Sequence, residues 1–309
     1  MRFMKKTGIF AILFLLLCPY SQAQKNTNIK RDTTKGFDFF FSPGMYVGNK
    51  TNANYYRGFP TAESDYADPD IKYIFNPASS NGIWYNQIME LMVRNHRGII
   101  ADTFWLEEVS QMRYSAGFSF AIGARYRFAK NFSLGIAVAQ SLMTANGIAN
   151  IGIKIDEVNS ANVLPYPLVG KERRTFFELT AQYLLPVGGM VTPLFEVDMH
   201  INSTKVNSSD LIVEGTPFTL LNKLGAGVAY DPNLSQSEVE RRRGGVGYGF
   251  TAAVGCRIAF NKWAALEPVA QFRMEKIQLA GYNAMTPNYN FMIRLVLGDK
   301  AFAAKKKSE

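Results

Sequence analysis

Residues 112–128 place Met112, Tyr114, Ala116, Phe118, Phe120, Ile122, Ala124, Tyr126 and Phe128 at every second position. Between them stand Arg113, Ser115, Gly117, Ser119, Ala121, Gly123, Arg125 and Arg127. One face is apolar and the other is small or cationic. A period of two is the signature of a strand, because successive side chains leave a strand on opposite sides. Seventeen residues exceed the usual soluble strand of about five or six. They suit a tilted strand that crosses a bilayer and continues beyond it.

The same alternation recurs outward from this segment. After Ala129-Lys130-Asn131, the side chains of Phe132, Leu134, Ile136 and Val138 oppose those of Ser133, Gly135, Ala137, Ala139 and Ser141. Residues 177–185 and 193–201 flank the turn Pro186-Val187-Gly188-Gly189. Residues 246–260 and 264–274 flank Asn261-Lys262. Residues 36–48 and 289–297 add one strand each, and the expected total is eight. Three connections are tight. Four are long, at about 49–111, 146–172, 203–245 and 280–288. Short turns at one end and long loops at the other describe an outer-membrane β-barrel. Tyr126, Phe128, Phe132, Tyr183, Phe260 and Trp263 gather at the tight turns, where an aromatic girdle belongs.

The composition agrees. Of 309 residues, 47% are hydrophobic and only 19% charged, below the roughly 25% charge of soluble domains. No mature run of about 20 apolar residues supplies a spanning helix. A soluble β-sandwich also alternates, but its outward faces would be charged. Here the non-apolar faces are Gly, Ala and Ser with a few charges, as a narrow lumen requires. A ten-stranded alternative pairs residues 223–230 with 210–215.

The fold class expected is therefore all-β, an eight-stranded antiparallel transmembrane barrel over residues 36–298. Residues 1–23 read as a cleaved signal peptide, with basic Arg2, Lys5 and Lys6, an apolar stretch Ile9 to Cys18, and Ser21-Gln22-Ala23 at the cleavage site. Leu17 is not the small residue that lipidation of Cys18 needs. Removing the peptide takes the charges of Arg2, Lys5 and Lys6 and lowers the net charge from +9 to +6. Cys256 is then the sole thiol. Residues 24–35 and the tail 299–309, with Lys305-Lys306-Lys307, are expected in the periplasm. Export leaves no nucleic acid as a partner.

This pattern resembles the small outer-membrane β-barrels of Gram-negative bacteria, of the OmpA-like transmembrane type. The resemblance rests on alternation and turn chemistry such as Tyr126-Arg127-Phe128-Ala129-Lys130-Asn131-Phe132-Ser133-Leu134. It implies architecture and not a specific function. Members usually end at the last strand, whereas a basic tail follows Leu297-Gly298 here. No peptidoglycan-binding domain follows, so cell-wall anchoring is not implied.

Face assignment puts the acids Asp38, Glu178, Glu196, Asp198, Glu267 and Glu275 in the lumen with the bases Arg113, Arg125, Arg127, Arg257, Arg273 and Arg294. His200 joins them. An eight-stranded barrel is just wide enough for its side chains, so each charge needs a partner. Arginine's fork suits carboxylates. A salt-bridge plug is the expectation, with a charged conduit as the alternative. No cofactor or metal site is expected, although Glu196, Asp198 and His200 share a face. Lipid A deacylases of this barrel size carry a His-x-Ser pattern with a Glu further along. Here the chain reads His200-Ile201-Asn202-Ser203 with Glu214 downstream, a poor fit.

Large loops are retained when they fold or bind. Residues 83–95 read as a helix with Trp84, Ile88, Leu91 and Met92 on one face, a lid over the barrel mouth. His96 near scattered acids is a weak metal signal. Arg241-Arg242-Arg243 is expected at the height of lipopolysaccharide phosphates. The expected function is non-enzymatic: surface interaction, envelope integrity or assembly of an envelope complex. Expected partners are outer-membrane lipid, lipopolysaccharide and other envelope or secretion proteins.

Overall fold

The computed structural model describes residues 35–59, 70–76, 83–95, 101–155, 160–187, 190–221, 244–261 and 263–298. Its strands are β1 (Gly36–Val47), β2 (Ala101–Val109), β3 (Arg113–Tyr114), β4 (Gly117–Arg127), β5 (Phe132–Ile155) and β6 (Ser160–Leu184), then β7 (Val191–Val213), β8 (Thr216–Thr219), β9 (Gly244–Ala259), β10 (Ala264–Lys276) and β11 (Met285–Gly298). Helices α1 (Lys50–Ala53), α2 (Ile71–Phe75) and α3 (Ile83–Asn95) lie between β1 and β2, with a 3-10 turn at Asn54–Arg57.

Eight strands close on themselves in the order β1-β4-β5-β6-β7-β9-β10-β11, every pairing antiparallel. Closure removes every sheet edge within the ring, which a spanning sheet must do because lipid offers backbone groups no partner. The ring needs no further strand. Residues 210–213 pair with β8 across the turn Glu214-Gly215, whose positive φ values of 49° and 79° suit a two-residue hairpin. The ten-stranded alternative is thereby corrected; residues 223–230 lie outside the described residues.

The outer face forms an apolar belt. On β5 it runs eleven residues from Phe132 through Leu134, Ile136 and Val138 to Leu142, all exposed. That length crosses a hydrocarbon core of about 30 Å at the usual tilt of about 45°. Phe177 and Leu179, Val197 and Met199, Phe250 and Val254, and Ile293 and Leu295 continue the belt around the barrel. Exposed Tyr126, Phe128, Phe132, Tyr183, Phe260 and Trp263 sit at the tight-turn end. Phe128, Phe132 and Tyr183 follow one another at centroid distances of 5.4 and 6.2 Å.

Two expectations need correction. Residues 112–128 are not one strand. Ser115 and Ala116 leave the ladder between β3 and β4, and the alternation changes phase there. Met112 is buried while Phe118 is exposed. Arg113 consequently lies on the outer face and is exposed, not in the lumen. Residues 146–172 are not a loop either, because β5 and β6 continue as a paired ribbon to Ile155 and Ser160. Pro165 and Pro167 are tolerated because β7 flanks β6 only from Leu168 onward, leaving these positions on an edge. β7 likewise extends well into the expected 203–245 loop.

These extensions build a folded cap over the barrel mouth. Its core includes Ile71, Ile74, Ile88, Met92, Phe104, Ile151, Ile153, Tyr166, Leu168, Leu211 and Phe218. Helix α3 forms where its periodicity places it and turns Ile88 and Met92 inward, with Trp84 and Leu91 packed beside them. Tyr85 stacks on Phe104 at 4.2 Å. Asn49 caps α1 by accepting from the Thr51 amide. Buried Asn52 ties that helix to the wall, donating to the Tyr282 carbonyl and accepting from Thr286. Tyr166 donates to Glu214; burial, helped by that carboxylate, raises its phenol above the ordinary value of 10.

Candidate functional site

The inward positions of the ring carry charge in three tiers. At the tight-turn end, Asp38 on β1 receives Arg127 at 2.7 and 2.8 Å and Arg257 at 3.2 Å. Glu267 on β10 faces Arg125 at 2.6 Å and Arg294 at 3.3 Å. Arg294 forks onto Glu196 at 2.7 and 2.8 Å, the planar match expected of guanidinium and carboxylate. Gln182 donates to both Glu196 and Glu267. The Phe40 ring lies under both Arg294 and Arg125, at 4.7 and 5.6 Å.

In the middle tier, Arg273 on β10 joins Glu178 on β6 at 2.8 Å and Glu275 on its own strand, over the Phe176 ring at 4.3 Å. Tyr46 donates to Glu275 at 2.7 Å and accepts from Arg174 at 3.0 Å. In the upper tier, Arg174 pairs with Glu172, whose carboxylate also receives Tyr56 at 2.6 Å and Tyr114 at 2.9 Å. Burial, reinforced by Glu172, pushes the Tyr56 hydroxyl well above its ordinary value.

Most of these contacts join strands that are not neighbours. Arg294–Glu196, Arg125–Glu267, Arg273–Glu178 and Arg257–Asp38 are struts across the lumen. Tyr56 belongs to the cap, so one bonded chain runs from it through Glu172, Arg174, Tyr46, Glu275 and Arg273 to Glu178. Burying a charge without a partner costs several kcal/mol, and the tiers supply those partners.

Asp38, Arg125, Arg127, Glu178, Glu196, Asp198, His200, Arg257, Glu267, Arg273, Glu275 and Arg294 all face inward. Arg113 does not. Glu172, Arg174, Tyr46, Tyr56 and Tyr114 belong to the network and escape the sequence reading. For Glu172 and Arg174 the signal was present: they continue the inward phase of Phe176 and Glu178. Asp198 is buried opposite Thr180 on β6 and takes part in none of the arginine struts.

His200 lies in the lumen, edge-on to Phe176 at 5.6 Å and near Thr251 at 3.5 Å. Asn202 donates to the Lys276 carbonyl. Ser203 faces outward and is exposed. Glu214 sits at the β7–β8 turn and holds Tyr166. The residues of the deacylase-like pattern therefore do not converge. His96 and Arg241-Arg242-Arg243 lie outside the described residues, as do residues 1–34 and 299–309.

His200 fits only because β9 offers glycine opposite it. A Cβ at Gly249 would meet His200 Nε2 and the Met274 carbonyl oxygen. Gly249→Val should lower stability by about 1–3 kcal/mol through overpacking. The urea unfolding midpoint of the refolded barrel measures this; an unchanged midpoint would show that the wall yields there.

No protein-family model matches the sequence, and no curated protein matches it. Among solved structures the chain is similar to Neisserial surface protein A (NspA), at 8% identity and a TM-score of 0.38, over 85% of this chain and 98% of that one. It is also similar to the outer membrane protein OprG from Pseudomonas aeruginosa, at 10% identity and a TM-score of 0.31, over 85% of this chain and 94% of that one. The architecture rests on the strand ring and the belt themselves. The fold is an eight-stranded antiparallel β-barrel with an apolar outer belt. Within it, the polar lumen is a scaffold of struts beneath the folded cap.

Proposed function

We propose that this protein is a closed, non-enzymatic barrel of the outer membrane that works through its folded cap. The cap faces outward, the tight turns and both termini face the periplasm, and residues 1–23 are removed on export. The role is surface interaction, envelope integrity or assembly of an envelope complex, with outer-membrane lipid, lipopolysaccharide and envelope proteins as partners. The observation that carries this reading is the set of cross-lumen struts beneath a cap with its own apolar core. A conduit would need those struts to part, and each is a desolvated charge pair.

Single-channel recording in planar bilayers tests the closed state. The expected result is no steady conductance at moderate voltage. A steady open level in every insertion would overturn it and favour the conduit. Cross-linking from the cap in intact cells, followed by identification of the partners, then separates the three roles.

A further inference from the structure

Directly above the apolar belt, the outer face of the described residues turns cationic on the β6–β7 arc. Lys171 and Arg173 on β6 and Lys205 on β7 are exposed and point outward. Their neighbours Glu172, Arg174, Thr204 and Val206 point inward and are buried. Arg173 and Lys205 are direct cross-strand partners. That register sets their Cβ atoms about 4.5–5.5 Å apart, which brings two cationic side chains together on the outer face. Two residues below them on the same strands, outward Thr175 and Ser203 lead into exposed Phe177 and Ile201. Leu142, the other partner of Arg173, is also exposed belt.

The remainder of the described border is different. Val246 and Tyr248 on β9, Pro287 and Tyr289 on β11, and Met45 and Val47 on β1 are uncharged, with Lys276 on β10 the exception. Arg113, displaced to the outer face by the phase change, stands across Asn146 on the same arc as Lys171. Among the described residues, outward Asp210 pairs with Val169 above the cations.

We propose that Lys171, Arg173 and Lys205 bind the phosphate-bearing headgroup of an outer-leaflet glycolipid, whose acyl chains lie on Leu142, Phe177 and Ile201. A phosphate placed over this pair can meet Arg173 and Lys205 together. The guanidinium can take two of its oxygens in a fork, and the lysine adds a point charge. Thr144 and Ser203 lie on the same outward patch for the sugar. This site rests on the cap-outward orientation proposed above.

The test uses the full chain in phosphatidylcholine nanodiscs, titrated with diphosphorylated lipid A and with enzymatically dephosphorylated lipid A, and read by native mass spectrometry. The double variant Arg173→Gln, Lys205→Gln should bind the diphosphorylated lipid about 10- to 100-fold more weakly, since each lost charge-assisted contact is worth roughly a tenfold change. The wild type should prefer the phosphorylated lipid, and the preference should shrink as salt screens it. Lys276→Gln should bind as wild type. Equal binding by the double variant, or equal binding of the dephosphorylated lipid, overturns the site. Competition by millimolar inorganic phosphate also overturns it, by showing a free-anion site. Heat-modifiable migration of each variant shows that the barrel is intact. A chain that fails to enter nanodiscs defeats the membrane reading itself, which is a separable outcome.

Discussion

Arg273→Met should be the most damaging single change in the lumen, lowering stability by about 3–5 kcal/mol. The guanidinium serves Glu178 and Glu275 together, accepts the face of Phe176, and reaches Gln271 at 3.3 Å. Methionine fills a similar length but leaves two buried carboxylates. Glu275 keeps Tyr46 as its donor, while Glu178 keeps no arginine. The second variant, Arg273→Met with Glu178→Gln, removes the orphaned charge and should recover a substantial part of the loss. Both are read as the urea midpoint of the barrel in micelles, followed by the gel shift between folded and boiled forms. If the single variant unfolds within about 0.5 kcal/mol of wild type, the struts fill space and do not stabilise. A double variant no better than the single one would locate the cost in packing rather than charge.

The sequence alone separates lipid face from lumen face correctly on each of the eight ring strands. Period two is a local property, and a lipid-facing residue must be apolar wherever it stands. What the sequence hides is register. Which acid meets which arginine depends on how far each strand is sheared against its neighbour, and no local pattern records shear. Six acids and six bases appear balanced from face assignment, yet the described lumen holds seven acids against six arginines. Arg113 leaves through the break at Ser115-Ala116, while Glu172 and Arg174 enter as a pair. The ribbon of β5 and β6 above the membrane was obscured by Asn146, Gly147, Asn150, Gly152, Pro165 and Pro167. These are turn residues by composition, held in strands by a partner rather than by propensity. The cap core is legible only in α3, because its other members come from very short helices and from strand extensions far apart in sequence.

Ile88→Asp should unfold the cap and leave the barrel standing. Ile88 is fully buried, with 0% of its surface exposed, in a core shared by α2, α3, β2 and the upper ends of β5 and β7. A carboxylate there has no arginine of the lumen network beside it, and burying it unpaired costs more than the cap's packing can supply. The barrel below is held by its own closed ladder and by struts that do not pass through α3. Trypsin should therefore cut the Ile88→Asp protein within the cap at least about tenfold faster than wild type, in line with a loss of more than 1.4 kcal/mol in local stability. The heat-modifiable band of the remaining barrel should persist. Ile88→Val, which trims a single methylene, should cost only about 0.5–1.5 kcal/mol and leave the cap resistant. The bonded chain from Tyr56 to Glu178 sharpens the outcome. If cap and lumen form one cooperative unit through it, the barrel midpoint falls together with the cap; if they are separate units, only the protease pattern changes. Separate behaviour is expected, because that chain crosses the border through the single cluster of Tyr56, Tyr114, Glu172 and Arg174, whereas the ring closes through eight antiparallel pairings.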